Sequence, residues 1–472
     1  MALFTCFDLS RRSTRVVCVV VCLVAANSIE DVSAQDTHYW TQQYGTQGEL
    51  LLGTVVGSLS DLSAMYYNPG ALALQDNPSL LLGAKAFEYQ SIKFKNVEGY
   101  ESPLASQEFG AAPTLFAGIL PPKWFEGIIG YSVLTRQDFN FRIQAAGSKE
   151  IPSADPDSVA LVGGEVLVDQ NVTGIWGGLT WSRAWDKMGV GVSSYVAYQG
   201  QRTRYQSLLQ SVYSGGGGAS ATFLNTIDYW HVRMVFKVGM AWDFSPLTFG
   251  FALTAPGIGL FGQGSALVDI FVNGVDINDD DVPDTELIAN QIKDEPADYK
   301  SPGSIAAGAS YRIKDTSVHV SAEWFNSVDK YAVLPPVEFN SPTTGNTYSH
   351  DISHELGSVF NWGFGIEQHV RDWFMVYGSF ITDHTAYVEG TKTSVSVSNW
   401  DLYHLMGGTA FTFLRMDITL GVGYAFGSSQ TQDRPDFADS DSNAIIPLED
   451  IDAELVYKRW NFIVGFAFGG SS

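Results

Sequence analysis

The chain has 472 residues and a formal net charge of −24, with 17% charged and 13% aromatic residues and 47 glycines. The negative charge argues against nucleic-acid binding, because proteins that bind nucleic acids neutralise phosphates with lysine and arginine. The length suits two or three soluble domains or one large barrel. The composition, rich in glycine and aromatic residues and poor in charge, favours the barrel.

Residues 1–34 have the features of a secretory signal peptide. Three arginines precede an apolar run from Val16 to Ala26, and Val32-Ser33-Ala34 provides a cleavage site of the A-x-A type. The apolar run is too short to cross a bilayer as a helix. All three cysteines of the chain lie in this segment. The exported chain is therefore expected to form no disulfide and no thiolate metal site.

Residues 35–78 follow the signal peptide and show no alternation of polar and apolar side chains. These 44 residues precede the first predicted strand on its periplasmic side. We therefore predict three regions: a signal peptide (1–34), an N-terminal hatch or plug inside the barrel (35–78) and a transmembrane β-barrel (79–472).

From about residue 79 to residue 468, stretches of large apolar residues alternate with small or polar ones, which is typical of strands with one apolar face. Residues 416–426, 318–324 and 232–240 show the pattern clearly. No further apolar run reaches the roughly 18 residues of a membrane helix, so these strands can enter a membrane only as a closed barrel. The predicted strands lie near residues 79–96, 108–119, 127–143, 158–184, 188–206, 219–243, 247–272, 299–313, 316–333, 354–368, 373–388, 398–414, 415–427 and 454–468.

Every second connection between these strands is a tight turn, and the others are long and rich in Gly, Pro, Asp and Ser. Bacterial outer-membrane barrels have short periplasmic turns, long external loops and an even number of strands. Aromatic residues cluster at the tight turns, as an interfacial girdle requires. These are Trp124, Phe125, Trp185, Trp242, Phe244, Trp373 and Phe374. The predicted fold class is thus all-β, a transmembrane antiparallel β-barrel of about 14 strands in the outer membrane of a Gram-negative-type bacterium.

The N-terminal segment also carries a motif. The run from Gly57 to Ala73 contains acidic and small residues and ends in Asn68-Pro69-Gly70-Ala71 followed by two more apolar residues, shortly before the first strand. It resembles the hatch of the FadL/TodX family of outer-membrane transporters, which ends in an Asn-Pro-Ala box. Residues 301–312 and 322–325 also resemble strands of that family. Gly70 stands where the family usually has Ala.

The resemblance implies a fourteen-stranded barrel occluded by a hatch. It implies passive uptake of long-chain fatty acids or other small hydrophobic molecules, without an energy source or cofactor. Asn68, Pro69, Gly70 and Ala71 would then gate the passage, and the substrate would leave sideways into the membrane through a gap in the wall. The expected partners are a hydrophobic ligand of the fatty-acid class, outer-membrane lipid and lipopolysaccharide, and the expected state is a monomer.

Four cations are candidates for substrate binding in the lumen. Strand parity points Arg136, Arg142, Arg233 and Lys237 inward, where a cation could hold a fatty-acid carboxylate. The alternative is that they pair with wall acids such as Asp138 and Glu323.

Other chemistry has weak signals in the sequence. Asp276, Asn278 and Asp280 have the spacing of oxygen ligands for Ca²⁺, but the sixth position of the loop is Asp281 rather than Gly, so a solvated acidic loop is the competing interpretation. His350 and His354 are four residues apart in a predicted loop, which does not favour a metal site. No nucleotide-binding P-loop and no G-x-S-x-G motif occurs. We therefore expect neither a metal site nor an enzyme.

Two other functions remain open at this point. A hatch-bearing barrel could serve as a component of secretion machinery or as a surface attachment site, which would suit long acidic outer loops. A general porin for polar solutes is disfavoured, because a plug of some 44 residues would obstruct diffusion.

Overall fold

The computed structural model of the chain describes residues 37–59, 61–75, 79–95, 105–121, 126–150, 159–275, 284–345, 347–388, 400–413, 416–431 and 453–469. These residues form two short α-helices, α1 (Gln47–Leu50) and α2 (Ala64–Tyr67), and the 3-10 helix Pro69–Leu74. The strands are β1 (Leu80–Lys95), β2 (Ala105–Leu120), β3 (Ile128–Glu150), β4 (Val159–Trp185), β5 (Met188–Tyr213), β6 (Gly218–Phe244), β7 (Leu247–Thr254), β8 (Ile258–Val275), β9 (Asp284–Pro296), β10 (Ser304–Ile313), β11 (Thr316–Phe325), β12 (Val328–Asn340), β13 (Thr347–Leu356), β14 (Val359–Arg371), β15 (Phe374–Asp383), β16 (Leu402–Phe413), β17 (Met416–Thr431) and β18 (Ala453–Phe468). None of the helices among these residues is long and apolar enough to span a bilayer.

Fourteen strands form a closed antiparallel barrel. Neighbours along the chain pair in the order β1 to β7, β10, β11 and β14 to β18, and β18 pairs with β1 to close the ring. The predicted fold class and the number of about fourteen strands are confirmed. The described turns between β4 and β5 and between β6 and β7 are each only two residues long, as the sequence predicted.

Three predicted strands are interrupted in the structure. The strand expected over 247–272 breaks between β7 and β8, where Pro256 has no N–H to offer the ladder. Both pieces pair with β6, but only β7 also pairs with β10. The strands expected over 316–333 and 354–368 are also each divided into two. The pieces outside the barrel, β12 and β13, pair with each other as a separate hairpin.

β8 continues beyond the barrel and pairs with β9, which lies outside all of the predicted strands. The two hairpins, β8–β9 and β12–β13, lie at the end of the barrel opposite the tight turns. The barrel therefore carries additional β-structure over one of its mouths.

The two faces of the wall follow the alternation in the sequence. On β14, Phe360, Trp362, Phe364 and Ile366 are exposed on the outside, while the residues between them face inward. Large apolar side chains on the outer surface are what a lipid-facing barrel requires.

The N-terminal segment, residues 37–75, lies inside the ring and is largely buried. Its apolar side chains, including Leu50, Leu62, Met65 and Leu72, form one core with inward-facing residues of the wall. The segment thus packs against the inner face of the barrel wall.

Candidate functional site

The Asn68-Pro69 pair anchors the N-terminal segment to the barrel. The Asn68 side chain is fully buried; its Oδ1 accepts a hydrogen bond from the N–H of Gly70 (3.1 Å), and its Nδ2 donates to the carbonyl oxygens of Val56 (2.7 Å) and Met240 on β6 (2.9 Å). Pro69 is the first residue of the 3-10 helix, where its fixed φ and missing N–H cost nothing. Asn68 therefore acts as a helix cap and a wall contact at the same time.

The structure gives a physical reason for glycine at position 70. A methyl group there would come within 2.7 Å of the carbonyl oxygens of both Gly189 on β5 and Gly239 on β6. Such a contact is closer than atoms approach in well-packed proteins, so one of the backbones would have to move. Ala71, the next residue, is buried in the same core. The departure from Asn-Pro-Ala thus coincides with an unusually close approach of the segment to the wall.

Asp61 holds the interior of the segment together. Its buried carboxylate accepts hydrogen bonds from the N–H groups of Thr46 (2.7 Å), Gln47 (2.8 Å) and Ser63 (2.8 Å). These bonds satisfy donors at the starts of α1 and α2, which have no partner within their own helices.

The first described residues, Thr37–Thr41, form a strap across the lumen. Asp383 at the end of β15 is fully buried and accepts hydrogen bonds from the N–H groups of Tyr39 (3.1 Å) and Trp40 (2.9 Å) and from the hydroxyl of Thr41 (2.7 Å). Nothing in the sequence marks Asp383, because only the packing of the strap on β15 gives this residue a role.

Three further wall residues hold the strap. Arg136 of β3 donates to the carbonyl oxygen of Tyr39 (2.8 Å), and Arg459 of β18 donates to that of Thr41 (2.9 Å). The indole N–H of Trp40 donates to Glu323 of β11 (2.8 Å). Four strands spread around the ring therefore hold the strap, and each contributes one charged side chain to a hydrogen bond. Such charge-assisted bonds are stronger than bonds between neutral groups.

Three of the four predicted lumen cations line one pocket next to the strap, which we call the cationic pocket. Arg136, Arg233 and Lys237 are at least nine-tenths buried and surround a recess inside the barrel. The Arg233 guanidinium lies 4.3 Å from the ring of Tyr299, and Nζ of Lys237 lies 4.6 Å from the ring of Tyr66. The other residues of the lining are Tyr39, Gln137, Trp176, Val235, Thr254, Ser301, Pro302, Ser304, Glu323 and Phe325.

The charges in this pocket are not balanced. Glu323 is the only acid among the described lining residues, and it accepts hydrogen bonds from Ser304 (2.5 Å) and Trp40. Among the described residues, no carboxylate lies within 4.0 Å of a side-chain nitrogen of Arg233 or Lys237. Aromatic faces offset part of the cost of burying these cations. Their remaining positive charge is available to an anionic ligand.

Arg142 does not lie in the lumen, and the prediction for this residue was wrong. The pairing of β3 with β4 has a bulge between Thr135 and Gln137, where one extra residue shifts the register. Because a shift by one residue exchanges the two faces of a strand, Phe141 is buried and Arg142 is exposed.

The wall has a gap between β2 and β3. These strands pair only from Leu115–Leu134 to Leu120–Ile129. Beyond this point β2 pairs only with β1, and β3 only with β4. Contacts across the gap include the hydroxyl of Thr135, which donates to the carbonyl oxygen of Pro113 (2.7 Å). A recess lined by Lys85, Glu88, Gln90, Glu108, Phe109, Gly110, Ala111, Ala112, Asp138 and Asn140 lies at the gap.

Neighbouring recesses between the cationic pocket and the gap share lining residues. Gln137 lines both the cationic pocket and a smaller recess that also includes His38 and Thr41 of the strap. Asp138 lines both that smaller recess and the recess at the gap. The strap lines the first two recesses, with Tyr39 in the cationic pocket and His38 and Thr41 in the smaller recess.

Among the described residues, no group of three or more His, Cys, Asp or Glu side chains could hold a metal ion. The calcium candidates Asp276, Asn278 and Asp280 lie outside the described residues. His354 lies on β13, and burial lowers its pKa to about 3, so its ring is neutral at ordinary pH.

No protein-family model and no curated protein matches the sequence. Solved structures do match its fold. A Pseudomonas aeruginosa FadL homologue is similar with a TM-score of 0.56 and 14% identity, covering 92% of this chain and 100% of its own. The Ralstonia pickettii toluene transporter TbuX gives a TM-score of 0.51 and 12% identity, with 91% and 99% covered. The CymD monoaromatic hydrocarbon channel gives 0.51 and 10%, with 92% and 99% covered. The FadL/TodX resemblance of the sequence is thus confirmed at the level of the fold.

Proposed function

We propose that this chain, which has the fold of the FadL/TodX channels, is an outer-membrane channel for passive uptake of small hydrophobic molecules that carry a carboxylate. Long-chain fatty acids are the first candidates. The observation that carries the proposal is the buried pocket in which Arg136, Arg233 and Lys237 meet aromatic side chains inside a plugged barrel. Apolar walls with a few well-placed polar groups are typical of ligand sites.

We assign residues 37–75 the role of a hatch. Hydrogen bonds to charged wall residues join the strap to the wall, and Tyr39 and Trp40 also belong to the core that holds the rest of the segment. Arg136 lines the pocket and also holds the carbonyl oxygen of Tyr39, so a carboxylate that binds Arg136 competes with the strap for it. Ligand binding would thereby loosen the strap and let the ligand pass.

We further propose that the ligand leaves sideways through the gap between β2 and β3. The recess at the gap and the cationic pocket each share one lining residue, Asp138 and Gln137, with the smaller recess beside the strap. The lip of the gap on the outer surface carries exposed Phe109, whose ring lies 5.4 Å from that of Phe87. An apolar lip next to the bilayer would let a hydrophobic molecule pass into the membrane without meeting water.

The uptake of labelled oleate and of a labelled sugar tests the proposal. Both are measured in Gram-negative host cells that lack their own fatty-acid channel and express either the intact protein or Arg233→Met. We expect the intact protein to take up oleate but not sugar, and Arg233→Met to take up oleate more slowly.

Arg142→Met is the matched control, since Arg142 is an exposed arginine outside the lumen, and it should transport normally. Deletion of residues 36–78 should admit the sugar. Oleate uptake that is no faster with the intact protein than without it would refute the proposed function. Sugar flux through the intact protein would support a porin instead.

Lateral release has a separate test, because all three cysteines of the chain lie within residues 6–22. A cysteine pair at Pro113 and Thr135 spans the gap, where the side chain of one residue already contacts the backbone of the other. A control pair at Ala117 and Ser132 lies on the intact part of the same ladder. Oxidation should slow oleate uptake only in the first variant, and reduction should restore it. Equal transport in all oxidised variants would contradict lateral release at this gap.

A further inference from the structure

The cationic pocket contains polar atoms that have no hydrogen-bond partner among the described protein groups. Two are donors, Nη1 of Arg233 and Nε1 of Trp176, and one is an acceptor, Oε1 of Gln137. All three side chains are more than nine-tenths buried. A buried polar atom without a partner is costly, so native proteins rarely keep several in one place unless ordered water or a ligand satisfies them.

The unsatisfied groups continue into the neighbouring row of the wall. In the strand ladders, Gln137 lies opposite Gly174, Gly174 opposite Gln199, and Gln199 opposite His231. Gln199 is fully buried and has no partner for either of its side-chain polar atoms, and Nδ1 of His231 has none either. We call Gln137, Gln199 and His231 the amide row.

Gly174 brings two members of the amide row together. A methyl group at Gly174 would lie only 3.0 Å from Oε1 of Gln199 and 3.2 Å from Cβ of Gln137. The absence of a side chain at this position therefore lets both glutamines occupy the same part of the inner wall. The row presents both donors and acceptors, which suits an uncharged hydroxyl or carbonyl group.

The apolar part of the pocket wall is mostly aromatic. Five aromatic side chains line the pocket, whereas Val235 is its only branched aliphatic residue among those described. Trp176 and Tyr66 lie close together, with ring centroids 6.1 Å apart. Aromatic rings gain about 0.5–1.5 kcal/mol from such pairs beyond the area they bury. A flat ring therefore fits these walls better than a saturated chain does. The five aromatic residues are Tyr39, Tyr66, Trp176, Tyr299 and Phe325.

The distance between the cations and the amide row also suits a ring. Arg233 and His231 are two residues apart on the same face of β6, which corresponds to about 7 Å along a strand. This is about the length of a benzene ring together with its two para substituents. A carboxylate at Arg233 would place a para substituent near the amide row.

We propose that the preferred ligand is a compact aromatic carboxylate that carries a hydroxyl or a similar hydrogen-bonding group. Arg233 and Lys237 bind the carboxylate, the aromatic walls bind the ring, and the amide row binds the substituent. The assignment rests on the proposed uptake function and narrows its substrate class.

Calorimetric binding to the purified full-length protein in detergent tests the assignment with four probes. They are 4-hydroxybenzoate, benzoate without the hydroxyl, 4-methylphenol without the carboxylate, and dodecanoate with a saturated chain. We expect 4-hydroxybenzoate to bind most tightly, benzoate about fivefold more weakly for one lost hydrogen bond, and 4-methylphenol at least about tenfold more weakly.

Two variants separate the subsites. Gln199→Leu should abolish the preference for 4-hydroxybenzoate over benzoate and leave benzoate binding unchanged, while Gln291→Leu, an exposed glutamine on β9, serves as its control. Arg233→Met should weaken both carboxylates but not 4-methylphenol, with Arg142→Met as its control. Each variant is first shown to be folded by its heat-modifiable mobility on a gel.

Tighter binding of dodecanoate than of 4-hydroxybenzoate would overturn the assignment of a compact aromatic ligand. Equal affinities for 4-hydroxybenzoate and benzoate, or an unchanged preference in Gln199→Leu, would overturn the role of the amide row. Neither outcome affects transport as such. The proposed function fails on a different result, which is oleate uptake no faster with the protein than without it.

Discussion

Replacing Asp383 with asparagine should release the strap. The carboxylate accepts three hydrogen bonds from Tyr39, Trp40 and Thr41, and bonds to a charged acceptor contribute about 1 kcal/mol more each than bonds to a neutral one. The Asp383→Asn variant would keep the shape of the side chain but lose its charge, so the closed strap should lose about 3 kcal/mol. This corresponds to an increase of about a hundredfold in the fraction of open molecules.

Hydrogen–deuterium exchange of the peptide that contains residues 37–43 measures this change. The N–H groups of Tyr39 and Trp40 bond directly to Asp383, so their exchange should accelerate by about the same factor of one hundred. The initial rate of oleate uptake should rise as well, because the strap lines both the cationic pocket and the smaller recess beside it. Asp417→Asn, in which a carboxylate accepts a single bond from Thr412 (2.7 Å), is the matched control.

Each result has a separate meaning. Unchanged exchange in Asp383→Asn would refute the assignment of Asp383 as the anchor. Faster exchange with unchanged oleate uptake would show that the strap is held as described but is not the barrier to passage. Faster uptake of sugar as well as oleate would show that opening the strap removes selectivity.

Two further predictions concern the hatch. Gly70→Ala should destabilise the packing of residues 64–75 by about 1–3 kcal/mol, because the added methyl group meets two backbone carbonyls. Gly163→Ala is the control, since the nearest atom to its methyl group would be 3.7 Å away. Hydrogen–deuterium exchange of residues 64–75 should accelerate in the first variant only. Burial raises the pKa of Glu49 to about 8, although the nearby charge of Lys85 and the hydrogen bond from Thr114 both lower it. Between about pH 4.3 and pH 8 the folded protein therefore binds a proton that the unfolded chain does not. The free energy of unfolding should fall as pH rises through that window. Glu49→Gln should remove this part of the pH dependence and be more stable than the parent above pH 8, as urea unfolding at pH 5, 7 and 9 would show; identical pH profiles would contradict it.

The barrel could be predicted from the sequence because alternation is a local property. Each strand reports its own apolar face, and the contrast of tight turns with long loops gives the order of the strands. The same reasoning placed Arg136, Arg233 and Lys237 on the inner face correctly. The interruptions were harder to predict, since β9 and the β12–β13 hairpin depend on partners outside the ring.

The strap contacts were beyond the reach of the sequence. Asp383 lies more than 340 positions from its partners in the strap. No sequence pattern around Asp383 or around the strap predicts their contact, because the contact exists only once the barrel has closed around the N-terminal segment. The amide row has the same origin, since Gln137, Gln199 and His231 become neighbours only through the register of four strands.

The single extra residue in β3 links several of these features. Before the bulge, inward positions of β3 include Leu134 and Arg136; after it, they include Gln137 and Phe141. Two successive side chains, Arg136 and Gln137, therefore face the lumen, which an unbroken strand does not allow because neighbouring side chains point to opposite faces. One of them holds the strap and contributes to the cationic pocket, and the other begins the amide row. The ladder to β2 ends at Leu134, two residues before the bulge. Removing one residue here, by deleting Arg136, should make the β3–β4 ladder continuous from Thr135–Ile175 to Gln137–Gly174, so that Gln137 takes the inward position, Phe141 stays inward and Arg142 stays outward. The β2–β3 pairing should then extend beyond Leu134 and slow lateral release. Loss of the exposure of residue 142 to a water-soluble thiol reagent, in a deletion variant carrying Arg142→Cys, would refute this assignment of the bulge.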